Sequence, residues 1–241
     1  MPPLEIIFIM LAIFFTSAFI RSTFGFGDAV LAMPLLSFVI SLKIATPLVA
    51  LTATTIALFI LMNSWRHADF QAAWRLILAA LIGTPIGIWI LQSAPEAVVK
   101  GMLGAFLILY GIYNLINPQL LVIKRDGWGF FFGFLAGVLG GAYNTNGPPV
   151  VVYGTLRRWP PERFRATLQG FFLPAGGFIT IGHGVSGLWT EAVLYLYLFM
   201  LPMVVLGIYL GGKVNQRFST ERFTQFLNII LIILGVLLIY F

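Results

Sequence analysis

Two glycine-rich interruptions carry the polar chemistry of this chain. The first reads Arg21-Ser22-Thr23-Phe24-Gly25-Phe26-Gly27-Asp28. The second reads Gly140-Gly141-Ala142-Tyr143-Asn144-Thr145-Asn146-Gly147-Pro148-Pro149. Each is set inside apolar sequence long enough to span a membrane. Lipid offers no hydrogen bonds to a broken backbone, so such a break survives only where protein buries it or where it lines a cavity. Breaks in corresponding places of two halves are the strongest sequence pointer to a transporter's binding site.

In the first break, Arg21 and Asp28 are the charges placed at membrane depth. Each costs roughly 2.5–3.5 kcal/mol at the bilayer centre. Arg21 offers a fork suited to an oxyanion. It can equally form a self-neutralising pair with Asp28 that pins the loop, or snorkel to the outer surface. Asp28 orients Arg21, caps a helix that begins at Ala29, or carries a proton. In the second break, Asn144, Thr145 and Asn146 either contact a substrate or close the turn locally. A helix starting near Pro148 presents partial positive charge to an anion. Pro148 and Pro149 lack N–H groups, so the donors come from Val150 and from residues just before the prolines. Backbone at Gly25, Gly27 and Gly147 joins these side chains in the candidate substrate-binding set. Gln169 completes it, as a ligand facing the interior or as interhelical glue.

The surrounding elements are set by composition. The chain has 241 residues, 60% hydrophobic and 9% charged, with a mean hydropathy of +0.98. Soluble domains carry about 25% charged residues, so this is an integral membrane protein with no room for a separate soluble domain. It lacks cysteine, which excludes disulfides, thiolate catalysis and cysteine–metal sites. The formal charge of +6 reads as basic cytoplasmic loops rather than as a nucleic-acid surface. The N-terminus has no basic n-region, and the first apolar stretch reads as a retained membrane segment.

Apolar stretches run at about 4–24, 28–42, 44–62, 73–92, 97–117, 128–143, 148–156, 166–186, 190–212 and 223–241. A spanning helix needs about 20 residues. The short stretches flank the two breaks, so 4–24 groups with 28–42, and 128–143 with 148–156. Each pair reads as a broken helix or a hairpin turning inside the membrane. Lys and Arg cluster in loops 63–75, 118–127, 157–165 and 213–222. The positive-inside rule puts all four in the cytoplasm. Three crossings then follow each pair, and three is odd, so the second half is inverted. Gly87-Ile88-Trp89 resembles Gly207-Ile208-Tyr209, and Leu109 to Tyr113 resembles Ile233 to Leu237. The expected fold is an all-α polytopic membrane protein built as an inverted-topology repeat. It has six full spans plus two broken, re-entrant helix pairs: 1–117, a basic cytoplasmic linker at 118–127, and 128–241. Both termini fall outside the cytoplasm. The pairs Gly83/Gly87, Gly133/Gly137 and Gly207/Gly211 predict close helix packing rather than dimerisation. Trp65, Trp74, Trp128, Trp159 and Trp189 lie near segment ends like an aromatic belt.

The search for an enzyme is empty. No phosphate loop, dinucleotide fingerprint or His-Glu-x-x-His occurs, and the separated His67 and His183 are not a metal site. No cofactor is expected.

The chain resembles the TauE/SafE family of sulfite and organosulfonate exporters and related anion permeases. The resemblance rests on Gly25-Phe26-Gly27-Asp28 followed by Ala29 to Leu36, and on Gly133, Gly137, Gly140 and Gly141 followed by Asn146-Gly147-Pro148-Pro149-Val150-Val151. Arg165-Ala166-Thr167-Leu168-Gln169 with Phe172, and Pro202 with Gly207 and Gly211, extend it over nearly the whole chain. Tyr143 to Asn146 depart from it, standing where the family is expected to carry more glycine. The resemblance implies an inner-membrane secondary transporter of sulfite, an organosulfonate or a related carboxylate anion. Its expected partners are that small anion, the lipid bilayer and a coupling proton or ion, with no nucleic acid. The alternative is a non-transporting membrane scaffold or assembly factor.

Overall fold

The computed structural model describes residues 3–64, 70–116, 122–214 and 220–240. Trp65, Arg66, His67 and Arg217 lie outside the described residues, as do the side chains of Arg165, Gln169 and Arg222. The described chain is helical: α1 Leu4–Phe24, α2 Asp28–Ser37, α3 Leu42–Ser64, α4 Phe70–Ser93, α5 Glu96–Ile116, α6 Trp128–Tyr143, α7 Gly147–Leu156, α8 Pro161–Val185, α9 Glu191–Val214 and α10 Thr220–Tyr240. Both breaks fall where expected. Elsewhere some boundaries move. The stretch 28–42 stops as a helix at Ser37, and Arg75 and Arg163 lie inside α4 and α8 rather than in loops.

Five described helices are long and apolar enough to cross a membrane: α1, α3, α4, α5 and α9. At 1.5 Å per residue, α1 with its 21 residues reaches about 31 Å, a full hydrocarbon thickness. The first break therefore follows a full-length helix. α8 has 25 residues, but its polar start lowers its apolarity. Large apolar side chains such as Leu109, Trp89 and Ile82 stand about two-thirds exposed around the outside, as a lipid-facing surface requires. Trp74, Trp128 and Trp189 are also exposed, whereas Trp159 turns inward onto Tyr153, ring centres 5.3 Å apart.

The short helix α7 runs back along α6. The Phe132 and Tyr153 rings lie 5.4 Å apart, and Ile123 N–H donates to Leu156 O at 3.0 Å. Arg157 pairs with Asp126 beside that bond. The hairpin thus returns its two ends to one side of the molecule. Of the two readings, broken helix or hairpin, the second pair is a hairpin.

Backbone-to-backbone contact holds the long helices. A Cβ added at Gly83 or Gly87 of α4 would fall closer than 3.0 Å to the carbonyls of Phe134 or Val138 of α6. Gly133, Gly137 and Gly141 of α6 face α4 carbonyls in return. Gly207 and Gly211 of α9 meet the carbonyls of Phe15 and Phe19 of α1 in the same way, and Gly104 and Gly235 join α5 to α10. The glycine spacings are internal packing stripes, as small residues in membrane helices commonly are.

Gly137→Ala is expected to lower the thermal unfolding midpoint in detergent, because overpacking costs about 1–3 kcal/mol. Gly101, with nothing within 4 Å of its added Cβ, serves as the contrast. Gly101→Ala is expected to leave the midpoint unchanged or raise it, since alanine gains about 0.5–1 kcal/mol over glycine in a helix. Equal losses in both variants would contradict the packing account.

Candidate functional site

Each break begins with a left-handed residue that ends a helix. Gly25 has φ 87° and ends α1, and its N–H donates to Arg21 O at 2.7 Å. Asn144 has φ 53° and ends α6, and its N–H donates to Gly140 O at 2.7 Å. Glycine takes this conformation freely, and asparagine is among the few other residues that tolerate it. Gly27 follows at φ 99° and turns the chain into α2. Asn146 precedes α7, whose second and third residues are Pro148 and Pro149.

Arg21 and Asp28 are both buried, and Arg21 Nη1 donates to Asp28 Oδ2 at 2.6 Å. α2 starts at Asp28 itself, and no side chain caps its N-terminus. Asp28 thus forms the ion pair that the sequence allowed and makes no side-chain cap bond. A carboxylate in the first turn also suits the positive end of the helix. The pair leaves Arg21 Nε buried without a partner among the described residues. The guanidinium carbon sits 4.8 Å from the centre of the Phe172 ring.

Phe172 of α8 joins the two breaks. Its ring holds Arg21 from the first, and its Cζ would lie 3.3 Å from a Cβ placed on Gly147 of the second. Phe26 of the first break packs against the cluster that contains Phe172 and Val150. The sequence marked Phe172 only as part of the family resemblance and gave it no place in the site, because an apolar aromatic on an apolar helix looks like any lipid-facing residue.

The second break is pinned by three neighbouring helices. Thr46 of α3 donates to Ala142 O at 3.1 Å, and the Tyr143 hydroxyl donates to Val99 O of α5 at 2.9 Å. His183 Nε2 lies 2.8 Å from Gly141 O. A carbonyl only accepts, so Nε2 carries the proton. The first break is tied to α9, with Ser22 Oγ donating to Ile208 O at 2.8 Å and Thr23 Oγ1 to Gly211 O at 3.2 Å.

Asn144, Thr145 and Asn146 are all buried. Thr145 bends back toward α6, its N–H donating to Leu139 O at 3.3 Å. The side-chain amides of Asn144 and Asn146 make no hydrogen bond to another described residue. Gly25 has nothing within 4 Å of its added Cβ, so space remains beside the first break. The backbone of Gln169 lies on α8, but its side chain falls outside the described residues. Among those residues no group of three His, Cys, Asp or Glu is placed to hold a metal ion.

Packed apolar helices, an outward lipid-facing surface and two enclosed backbone breaks define a polytopic helical membrane protein with a polar interior. The chain belongs to the TauE/SafE family of sulfite exporters, whose profile, described as "Sulfite exporter TauE/SafE", matches residues 9–238. This is a family of membrane exporters, not of enzymes. Over 212 residues the chain is 26% identical to a Cupriavidus necator protein named "Probable sulfite/organosulfonate exporter TauE", covering 83% of this chain and 81% of that protein. No solved structure matches.

Removing one partner of a buried pair leaves an uncompensated charge, which costs about 3–5 kcal/mol. Asp28→Asn and Arg21→Gln are each expected to lower the unfolding midpoint strongly. The double variant R21Q/D28N is expected to melt above Asp28→Asn, because no lone charge remains. A double variant at the sum of the two single losses would show that the pair is not the interaction being lost.

Proposed function

We propose that the protein is a secondary transporter of a small sulfur oxyanion, sulfite or an organosulfonate, which binds between the two breaks. The observation that carries this reading is that Phe172 joins buried Arg21, whose fork is only partly taken up by Asp28, to the second break, where Asn144 and Asn146 are buried. The remaining edge of the guanidinium, the two amides and the first-turn N–H groups of α2 and α7 supply donors. Pro148 and Pro149 remove two of the donors α7 would otherwise offer, leaving Gly147 and Val150. The Arg21–Asp28 pair is neutral overall, so the anion is held by directed hydrogen bonds rather than by net charge. Such a site binds well enough to load and weakly enough to release. The family and the relative's printed name support the substrate class.

The reading includes an inverted repeat of 1–117 and 128–241 joined by the basic linker 118–127. Several contacts support it by exchanging in pairs. Phe15 and Phe19 stand ten and six residues before Gly25, and Phe134 and Val138 stand ten and six before Asn144. These four carbonyls meet Gly207, Gly211, Gly83 and Gly87 in turn. Thr54 and Thr180 share a hydrogen bond of 2.7 Å, and each also bonds the carbonyl four residues before the other, Gly176 and Ala50. On α5 and α10, Gly104 meets Gly235 and Gly111 meets Asn228, again an exchanging pair. With the basic loops inside, both termini lie on the outer face of the cell's inner membrane. A coupling proton or ion is part of the proposal, and no nucleotide motif offers an alternative energy source.

Purified protein in liposomes is expected to carry sulfite or methanesulfonate, whereas a scaffold shows no flux with these anions or with carboxylates. N144A/N146A is expected to keep its fold and lose about ten-fold or more in apparent affinity, since unpaired donors lost from a buried site cost about 1.5–3 kcal/mol when the ligand is charged. Wild-type affinity in that variant would remove the asparagines from the site.

A further inference from the structure

A second cluster lies away from the breaks. α4, α6 and α8 all begin around a cavity of about 210 Å³, into which the end of α7 also returns. Arg75, Arg157 and Arg163 line it with Asp126, Tyr153 and Trp159, and none of the break residues does. A water's share of liquid volume is about 30 Å³, so there is room for a small oxyanion.

Basic residues at helix ends ordinarily spread outward into the headgroups. Here they converge. Arg157 donates to Ile123 O at 3.3 Å, to Lys124 O, and to Asp126. Arg75 lies 3.8 Å from the same carboxylate. Arg163 packs its guanidinium 5.6 Å from the centre of the Trp159 ring, and among the described residues no carboxylate lies within salt-bridge distance of it. Three guanidinium groups and one carboxylate therefore line the cavity, and only Arg75 and Arg157 pair with that carboxylate. Two N–H donors on the cavity's own lining, Arg157 Nε and Trp159 Nε1, are buried and have no partner among the described residues. Unsatisfied buried donors call for an acceptor. Three helix N-termini add partial positive charge at the same place.

We propose that this cavity is a second anion site, which binds a sulfonate- or phosphate-type oxyanion through Arg75, Arg163 and the two unpartnered N–H groups. Arg157 positions the 122–126 segment and presents its Nε. The ligand is either a free anion or the phosphate of an anionic lipid headgroup, which share this chemistry. The site stands whether or not the breaks bind the transported anion.

The test uses the full chain in lipid nanodiscs. Methanesulfonate is titrated in phosphatidylcholine discs and binding is read by calorimetry and by tryptophan emission, since Trp74 and Trp159 stack on Arg75 and Arg163. Retention of phosphatidylglycerol is read in parallel by native mass spectrometry. A free-anion site gives saturable methanesulfonate binding; a headgroup site gives a retained phosphatidylglycerol. Either is expected to weaken at least about ten-fold in R75Q/R163Q, as lost charge-assisted hydrogen bonds do. In N144A/N146A the methanesulfonate affinity of the breaks falls, while the emission change of the tryptophans stacked on Arg75 and Arg163 and the retained phosphatidylglycerol are expected to persist, which separates this site from the breaks. Should R75Q/R163Q not fold, Arg163→Lys, which keeps the charge but loses the fork, is expected to weaken binding several-fold. Absence of both ligands, or equal binding in wild type and variant, overturns the proposal.

Discussion

The architecture follows from one constraint: a peptide backbone that leaves its helix inside a membrane must find all its partners within the protein. Each unsatisfied group in hydrocarbon costs several kcal/mol. The two breaks expose such groups, and the rest of the molecule encloses them. Glycine stripes let α4 lie on α6 and α9 on α1 at backbone contact, which leaves no gap for lipid beside the helix that carries each break. Side chains then satisfy specific carbonyls at the broken ends. Thr46 and His183 reach from α3 and α8 to carbonyls at the end of α6, and Thr23 ties the end of α1 to a carbonyl of α9. Close packing and polar satisfaction serve the same purpose, and neither works alone.

Charge is handled with similar economy. The Arg21–Asp28 pair buries a guanidinium without leaving net charge. Phe172 covers one face of that guanidinium and borders Gly147, so one aromatic ring ties both breaks into a common wall. A fully charged, dry arginine holds an anion tightly; an arginine already shared with a carboxylate holds it less tightly. Under the proposed transport role, in which the anion must be released, the second arrangement suits the task.

Much of this was legible in the sequence because glycine, proline and asparagine are backbone punctuation. Gly25, Gly27, Asn144 and Gly147 announced both breaks, and the glycine spacings announced the tight helix pairs. Three things were not legible. Phe172 has the chemistry of any core aromatic, so its bridging position depends on tertiary packing. The roles of Asp28 separate only when distances are known. The arginines at 75, 157 and 163 read as ordinary cytoplasmic loop charge, because sequence gives their sign but not their direction. His183 did carry a signal, being polar within an apolar helix, yet only the structure supplies its partner, Gly141 O.

The most direct measurement is the position of a bound anion. Crystals of the protein grown with 2-bromoethanesulfonate, with data collected at the bromine absorption edge, locate the ligand independently of any assay. The account predicts an anomalous peak between the breaks, within contact distance of Arg21, Asn144 and Asn146. Saturating ligand with no peak there, whatever appears elsewhere on the molecule, would contradict it.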